Sequence, residues 1–359
     1  MLETIGLDAE LGRAVAGWAA ATDASVGRVV RVDRGLVSVL TEDGIRRASV
    51  GGGLLRLMAH DPTEGPCTGD WCLLRTWPDH RTTLERLLPR RTVVTRATAG
   101  RQSRAQVLCS NIDITALVVA LHPLPVLSKV ERLVALAWES GARPLVVLTK
   151  SDLVTDADQV ADDVAAATPG VDVAVVSTRT GDGVDGVRKR LEGRLTMALL
   201  GTSGHGKSSL VNALVGAETL ATRTIREDGR GRHTSVRREL VPLPGGGAVI
   251  DTPGLRGVGL VEAELGLEMT FGDVQRFAAL CRFGDCAHQG EPGCEVVRAV
   301  QAGELSSRRF ESWLHLQREL RSAASRTDAR LRAERTLESG RRIRAAKPPR
   351  ARPDLKEPP

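Results

Sequence analysis

The run Gly201-Thr202-Ser203-Gly204-His205-Gly206-Lys207-Ser208 constrains this chain more than any other segment of its length. It fits G-x-x-x-x-G-K-[ST], and it stands between an apolar, strand-like run (196–200) and a helical pattern (208–215), which is the setting that spacing requires. The glycines let the backbone curl so that several N–H groups face a phosphate, and the helix N-terminus adds its dipole. Lys207 is expected to reach the β- and γ-phosphates, Ser208 to hold Mg²⁺, and Ser209 belongs to the same nucleotide-binding set. A phosphate loop of this kind needs an α/β sheet behind it, and the rest of the chain supplies one.

From about residue 111 apolar strand-like runs alternate with helical ones: strands at 112–120, 145–148, 171–176, 196–200 and 248–250, helices at 159–167, 184–192 and 208–215. Ser128-Lys129-Val130-Glu131 has the form of a capping box opening a helix to Ser140, with Gly141 beyond it. Repeated βα units imply a mostly parallel sheet covered on both faces. Residues 1–95 differ. Short β-branched runs at 26–32, 36–41 and 70–76 are broken by Asp33-Arg34-Gly35 and Glu42-Asp43-Gly44, and no helical pattern follows Trp18. A small antiparallel barrel is expected there. The 359 residues thus divide into an OB-like barrel (1–97), an α/β nucleotide-binding domain (98–261), a helical cysteine-bearing domain (262–340) with a long helix capped at Ser306 or Ser307, and a Pro/Arg-rich tail (341–359) expected to be disordered.

Two further strand ends complete the nucleotide site. Thr149-Lys150-Ser151-Asp152 follows the strand at 145–148, and a carboxylate at Asp152 can accept from guanine N1–H and N2–H₂, a donor pair that adenine lacks. Ser177-Thr178 follows the next strand and can close over the base edge. Asp251-Thr252-Pro253-Gly254 follows the strand at 248–250; Asp251 can bind Mg²⁺ through water and the Gly254 N–H can meet a γ-phosphate. Each motif alone is an ordinary turn. Together they specify a guanine-nucleotide site, with an ATP site as the alternative. Their order is unusual, because the base motif precedes the phosphate loop. The domain reads as circularly permuted, and its chain leaves soon after Asp251–Gly254, the segment that senses the γ-phosphate.

The catalytic signal is weaker. Leu255 follows Gly254, where a glutamine could orient the attacking water and leucine cannot. In Arg232-His233-Thr234-Ser235, His233 can position or deprotonate water, or be a solvated loop histidine. Thr234 is the candidate second Mg²⁺ ligand, with Ser235 as its neighbour.

Cys281-x₄-Cys286-x-His288-x₅-Cys294 gathers three thiols and an imidazole within 14 residues. That set suits one tetrahedral, structural Zn²⁺ with no open position; the alternative is reduced buried cysteines. Cys67, Cys72 and Cys109 have no such neighbours and read as structural thiols.

Charge bears on partners. The net charge is +6, but the segment 321–359 alone carries +7, leaving −1 for residues 1–320. A uniformly basic nucleic-acid coat is excluded, and a basic tail is left as a salt-sensitive RNA tether. Only six lysines occur against 44 arginines, and two of them, Lys150 and Lys207, lie in the nucleotide motifs. No apolar run reaches about 18 residues, and Met1-Leu2-Glu3 opens no secretory signal. A cytoplasmic monomer without membrane contact is expected.

The order of barrel, permuted G domain and Cys-x₄-Cys-x-His-x₅-Cys segment resembles the ribosome small-subunit-dependent GTPase A (RsgA) family. The pieces that carry the resemblance are GHGKSSL (204–210), GRHTS (231–235), DTPG (251–254) and CRFGDCAHQGEPGCEV (281–296). It implies an OB-fold, a GTPase that hydrolyses GTP to GDP late in 30S subunit assembly under stimulation by the ribosome, contact with 16S rRNA, and His233 as the catalytic histidine. Thr149 departs from the family's usual Asn, and His205 from a small apolar residue; His205 is expected to be a surface side chain only. Tyrosine is absent and phenylalanine scarce, so RNA binding by the barrel would rest on charge, with Arg28, Arg31, Arg34, Arg46 and Arg47 available; a solvated barrel face is the other reading. The competing function is a GTP-dependent RNA-binding switch with little turnover, or a non-ribosomal RNA partner.

Overall fold

The computed structural model describes residues 1–13, 15, 24–97, 105–216, 238–252 and 263–327. Five strands close a barrel: β1 (Ala24–Asp33), β2 (Leu36–Thr41), β3 (Gly44–Val50), β4 (Trp71–Thr76) and β5 (Thr82–Leu87), in the order β1-β2-β3-β5-β4. Closure leaves no edge strand in need of protection. The barrel is not wholly antiparallel as expected, since β3 and β5 pair in parallel through Ser49↔Thr83 and Val50↔Leu84. A helix, α1 (Gly52–His60), supplies the crossover that such a pairing needs. It opens on Gly52 and Gly53 after the N-cap Gly51, and Leu54 and Met58, one turn apart, pack into the barrel core with Val29, Val39, Leu74 and Leu84.

A two-stranded ribbon, β6 (Val93–Ala97) with β7 (Ala105–Ser110), leads to the central sheet. Its strands are β8 (Ile114–Ala120), β9 (Arg143–Thr149), β10 (Asp172–Val175), β11 (Thr196–Leu200), β12 (Glu239–Pro242) and β13 (Ala248–Asp251), in the order β10-β9-β8-β11-β13-β12. All neighbours are parallel except the edge strand β12, which the sequence did not signal. Every residue of β8 is buried, as a central strand covered on both faces requires. Alternate residues serve opposite cores. Leu117 and Val119 face one cluster, and Ala116 and Val118 face the other.

Helices α2 (Leu127–Glu139), α3 (Ala157–Ala167), α4 (Val184–Lys189) and α5 (Lys207–Val215) cover the sheet. The capping box expected at Ser128–Glu131 does not form. Val126 is the N-cap, with no side-chain cap bond. Glu131 instead lies fully buried on the far side of its helix. Its partners come from the last segment, which holds α6 (Glu264–Thr270), α7 (Gly272–Ala278), α8 (Glu295–Gln301) and α9 (Ser307–Thr327). Arg308 and Arg309 of α9 donate to Glu131 at 3.0 and 3.1 Å, and Arg309 also grips Asp273. A carboxylate that local spacing assigns to a helix cap is thus used as a buried clasp for the cysteine-bearing segment.

Arg28 is a second correction. It is 1% exposed and lies over the Trp71 ring at 5.0 Å. Its guanidinium donates to the carbonyls of Ile5, Gly69 and Asn111, joining the barrel to the N-terminal segment and to the strand linker. It is not available on the barrel surface, whereas Arg34 and Arg47 are exposed.

Candidate functional site

The motifs converge at the C-terminal edge of the parallel sheet, where β9 and β11 diverge to either side of β8; ligands of open α/β sheets bind at such a switch point. The phosphate loop lies between β11 and α5. Gly201 approaches β8 so closely that a Cβ would stand 2.3 Å from the Val118 carbonyl oxygen. Gly206, the N-cap of α5, has φ +88°, which L side chains rarely adopt. Lys207 is buried, and its Nζ donates to the carbonyls of Gly201 (2.9 Å) and Thr202 (3.0 Å). Burial pulls its pKa down, and the charge of Asp251 opposes that pull. An ammonium hydrogen-bonded to two neutral carbonyls at the mouth of a loop is poised for an anion.

Ser208 Oγ donates to Asp251 Oδ2 at 2.9 Å. Asp251 Oδ1 is buried without a partner among the described residues, and burial raises the carboxyl above its ordinary range. A hydroxyl and a carboxylate with one orphaned oxygen make a hard oxygen donor set of the kind Mg²⁺ takes.

Across the sheet edge, Lys150 holds φ +63° and so turns the base loop. Asp152 Oδ1 accepts from Ser177 Oγ (2.7 Å) and Oδ2 from Arg179 Nε (2.7 Å), and both bonds hold the carboxyl below its usual range. Ser177 itself is buried, with its N–H on the Asp182 carbonyl. Thr149 Oγ1 donates to the His205 carbonyl at 2.7 Å, tying the base loop to the phosphate loop. Thr202, Ser203 and Gly204 are exposed, while Ser151, Thr178 and Ser209 are half-buried. Gly254, His233 and Thr234 lie outside the described residues. Arg179, two residues past Ser177, was missed from sequence, because its partner Asp152 lies 27 residues away in the chain. His205 is half-buried and bonded at both ring nitrogens, not a free surface side chain.

The second site lies between α7 and α8. His288 Nδ1 is 3.6 Å from Cys281 Sγ and 3.5 Å from Cys294 Sγ; these sulfurs are 4.0 Å apart. With Cys286 the four ligand atoms fall within 4.8 Å of one another. A tetrahedron with metal–ligand bonds of about 2.0–2.3 Å has edges of about 3.3–3.8 Å, so the cluster is close to a zinc cage. Cys294 caps α8 and accepts from the Val297 N–H at 3.5 Å. Glu291 accepts from the Ala287 and Gln289 N–H groups (3.1 and 2.7 Å) and so folds the loop that carries His288. Trp313 of α9 packs its ring 5.5 Å from the imidazole. Cys67, Cys72 and Cys109 are buried elsewhere, in and beside the barrel.

Comparison with known proteins agrees with this geometry. The RsgA GTPase family model matches residues 87–261. The small ribosomal subunit biogenesis GTPase RsgA of Streptomyces avermitilis is 47% identical over 312 residues, which cover 86% of this chain and 83% of that one. The protein of that name in Streptomyces coelicolor is 47% identical over 320 residues, covering 88% and 86%. Among solved structures, YjeQ from Thermotoga maritima matches with a TM-score of 0.60 and 25% identity over 83% of this chain and 98% of that one. YloQ, described as a circularly permuted GTPase, has a TM-score of 0.58 at 24% identity over 83% and 96%, a likeness of fold.

Proposed function

This chain belongs to the RsgA GTPase family, and from that premise we propose that it is a GTP hydrolase of small ribosomal subunit biogenesis, slow alone and stimulated by the 30S subunit. The observation that carries the reading is the meeting of Ser208, Lys207 and Asp251 at one sheet edge with Asp152 and Ser177 beside it. The loop at 201–208 would take the phosphates, with Lys207 exchanging its carbonyls for phosphate oxygens. Ser208 and Asp251 would hold Mg²⁺, with Thr234 as the further ligand, and the metal would neutralise charge on the β- and γ-phosphates. Asp152 would read guanine, helped by Lys150, Ser151, Ser177 and Thr178. Gly254 would meet the γ-phosphate, and His233 would orient or deprotonate the attacking water.

Leu255 in place of a water-orienting glutamine supports slow turnover without a partner. Cys281, Cys286, His288 and Cys294 would hold one structural Zn²⁺, all four positions being filled by the protein. The reading includes 16S rRNA as the contacted surface, the cytoplasm as the compartment, a monomer as the working state, and the tail at 341–359 as an RNA tether. Co-sedimentation with 30S subunits tests it. Binding is expected with a non-hydrolysable GTP analogue and weaker with GDP. Binding in neither state would favour a non-ribosomal RNA partner.

A further inference from the structure

One imidazole joins three parts of the nucleotide site. His205 Nδ1 lies 3.2 Å from the Val118 carbonyl at the end of β8, and its Nε2 lies 2.5 Å from Thr202 Oγ1. A carbonyl only accepts, so Nδ1 carries the proton and donates. In the neutral ring Nε2 is then the acceptor for the Thr202 hydroxyl. The ring therefore closes the phosphate loop on itself, from its fifth residue to its second, and fastens it to the sheet. The Val118 oxygen it uses is the same one that excludes a side chain at Gly201. Through its own carbonyl His205 also receives the Thr149 hydroxyl from the base loop. On either side Gly204 and Gly206 have φ +86° and +88°, so the histidine side chain anchors a stretch of otherwise pliant backbone.

We propose that His205 is a positioning residue of the phosphate loop. Its ring, tied to Val118 and Thr202, holds the loop in its phosphate-binding shape beforehand and so slows nucleotide release. This rests on the reading of 201–208 as the phosphate site.

The charged groups facing the ring are Lys207 of α5, Lys150 after β9 and Lys129 of α2; burial keeps the imidazole below its usual range, the bond to the Val118 carbonyl opposes that, and these cations add to the lowering. A bound polyphosphate reverses that field and favours the imidazolium. The bound state then takes up protons, and affinity should rise as pH falls. Thr202 can keep its contact by rotating its hydroxyl to accept.

The test is the dissociation rate of a fluorescent GDP analogue from the full chain. Loss of two hydrogen bonds in His205→Ala should speed release roughly 5- to 30-fold, with His205→Asn, which keeps a donor, in between. Thr202→Val should speed release less, and the double variant should match His205→Ala alone, because the two act through one bond. The gain in GDP affinity from pH 7.5 to 5.5 should be smaller in the His205 variants than in the wild type. Release at the wild-type rate in both His205 variants, or a double variant equal to the product of the singles together with an unchanged pH slope, would overturn the role of His205. Lys207→Ala is the control. If it binds GDP as the wild type does, the phosphate-site reading itself falls.

Discussion

Ser208 at the start of α5 and Asp251 at the end of β13 meet at 2.9 Å, and the second oxygen of Asp251 is buried with no partner among the described residues. An unsatisfied buried acceptor costs about 1–3 kcal/mol, so the pair is incomplete until a cation or its water completes it. Asp251→Asn and Ser208→Ala should each weaken Mg²⁺-dependent GTP affinity by roughly 10–100-fold and leave binding in EDTA nearly unchanged. Titration with and without Mg²⁺ checks this. Equal losses in both conditions would contradict the assignment.

Asp152 is held ionised by Ser177 and Arg179. Asp152→Ala leaves two guanine donors unpaired, at a cost of about 1.5–3 kcal/mol, or roughly 10–100-fold in GTP affinity, with ATP affinity unaffected. Arg179 is largely exposed, so Arg179→Ala should change GTP affinity by only a few-fold. Competition between GTP and ATP measures both.

Metal removal should separate the cysteines. Burial raises the Cys67 and Cys72 thiols and pushes Cys109 up to about 12, which leaves almost no thiolate at pH 8. The zinc-loaded chain should resist iodoacetamide. After chelation Cys281, Cys286 and Cys294 should be alkylated, and the other three only on unfolding. Mass spectrometry reads the sites; early labelling of Cys72 or Cys109 would contradict the burial.

Glu131 is fully buried between Arg308 and Arg309. Glu131→Ala leaves Arg309, itself 4% exposed, with one carboxylate partner where it had two. Breaking such a buried pair costs about 3–5 kcal/mol. Urea unfolding should show that loss, and limited proteolysis should release the segment that carries α8 and α9.

The parts legible in the sequence were those in which local chemistry and fold require the same residues. The loop at 201–208 needs its glycines wherever it occurs, and β8 reads as a buried strand because six of its seven residues are apolar. The unreadable parts depend on distant partners. Glu131 looks like a cap until Arg308 and Arg309, some 177 residues away, claim it. Arg28 looks like a surface charge until three carbonyls surround it. His205 looks like an idle loop side chain because its partner is the backbone of another strand, and backbone carbonyls leave no trace in a residue pattern. The helix α1 opens on two glycines, which carry little helical propensity.

Phosphate release from GTP, measured with and without 30S subunits, bears most directly on the proposed function. A slow basal rate that rises and saturates with 30S concentration, and falls back in Lys207→Ala and His233→Ala, is the expected result. A rate indifferent to 30S subunits and unchanged in His233→Ala would contradict the enzymatic reading and leave a GTP-controlled RNA-binding switch in its place.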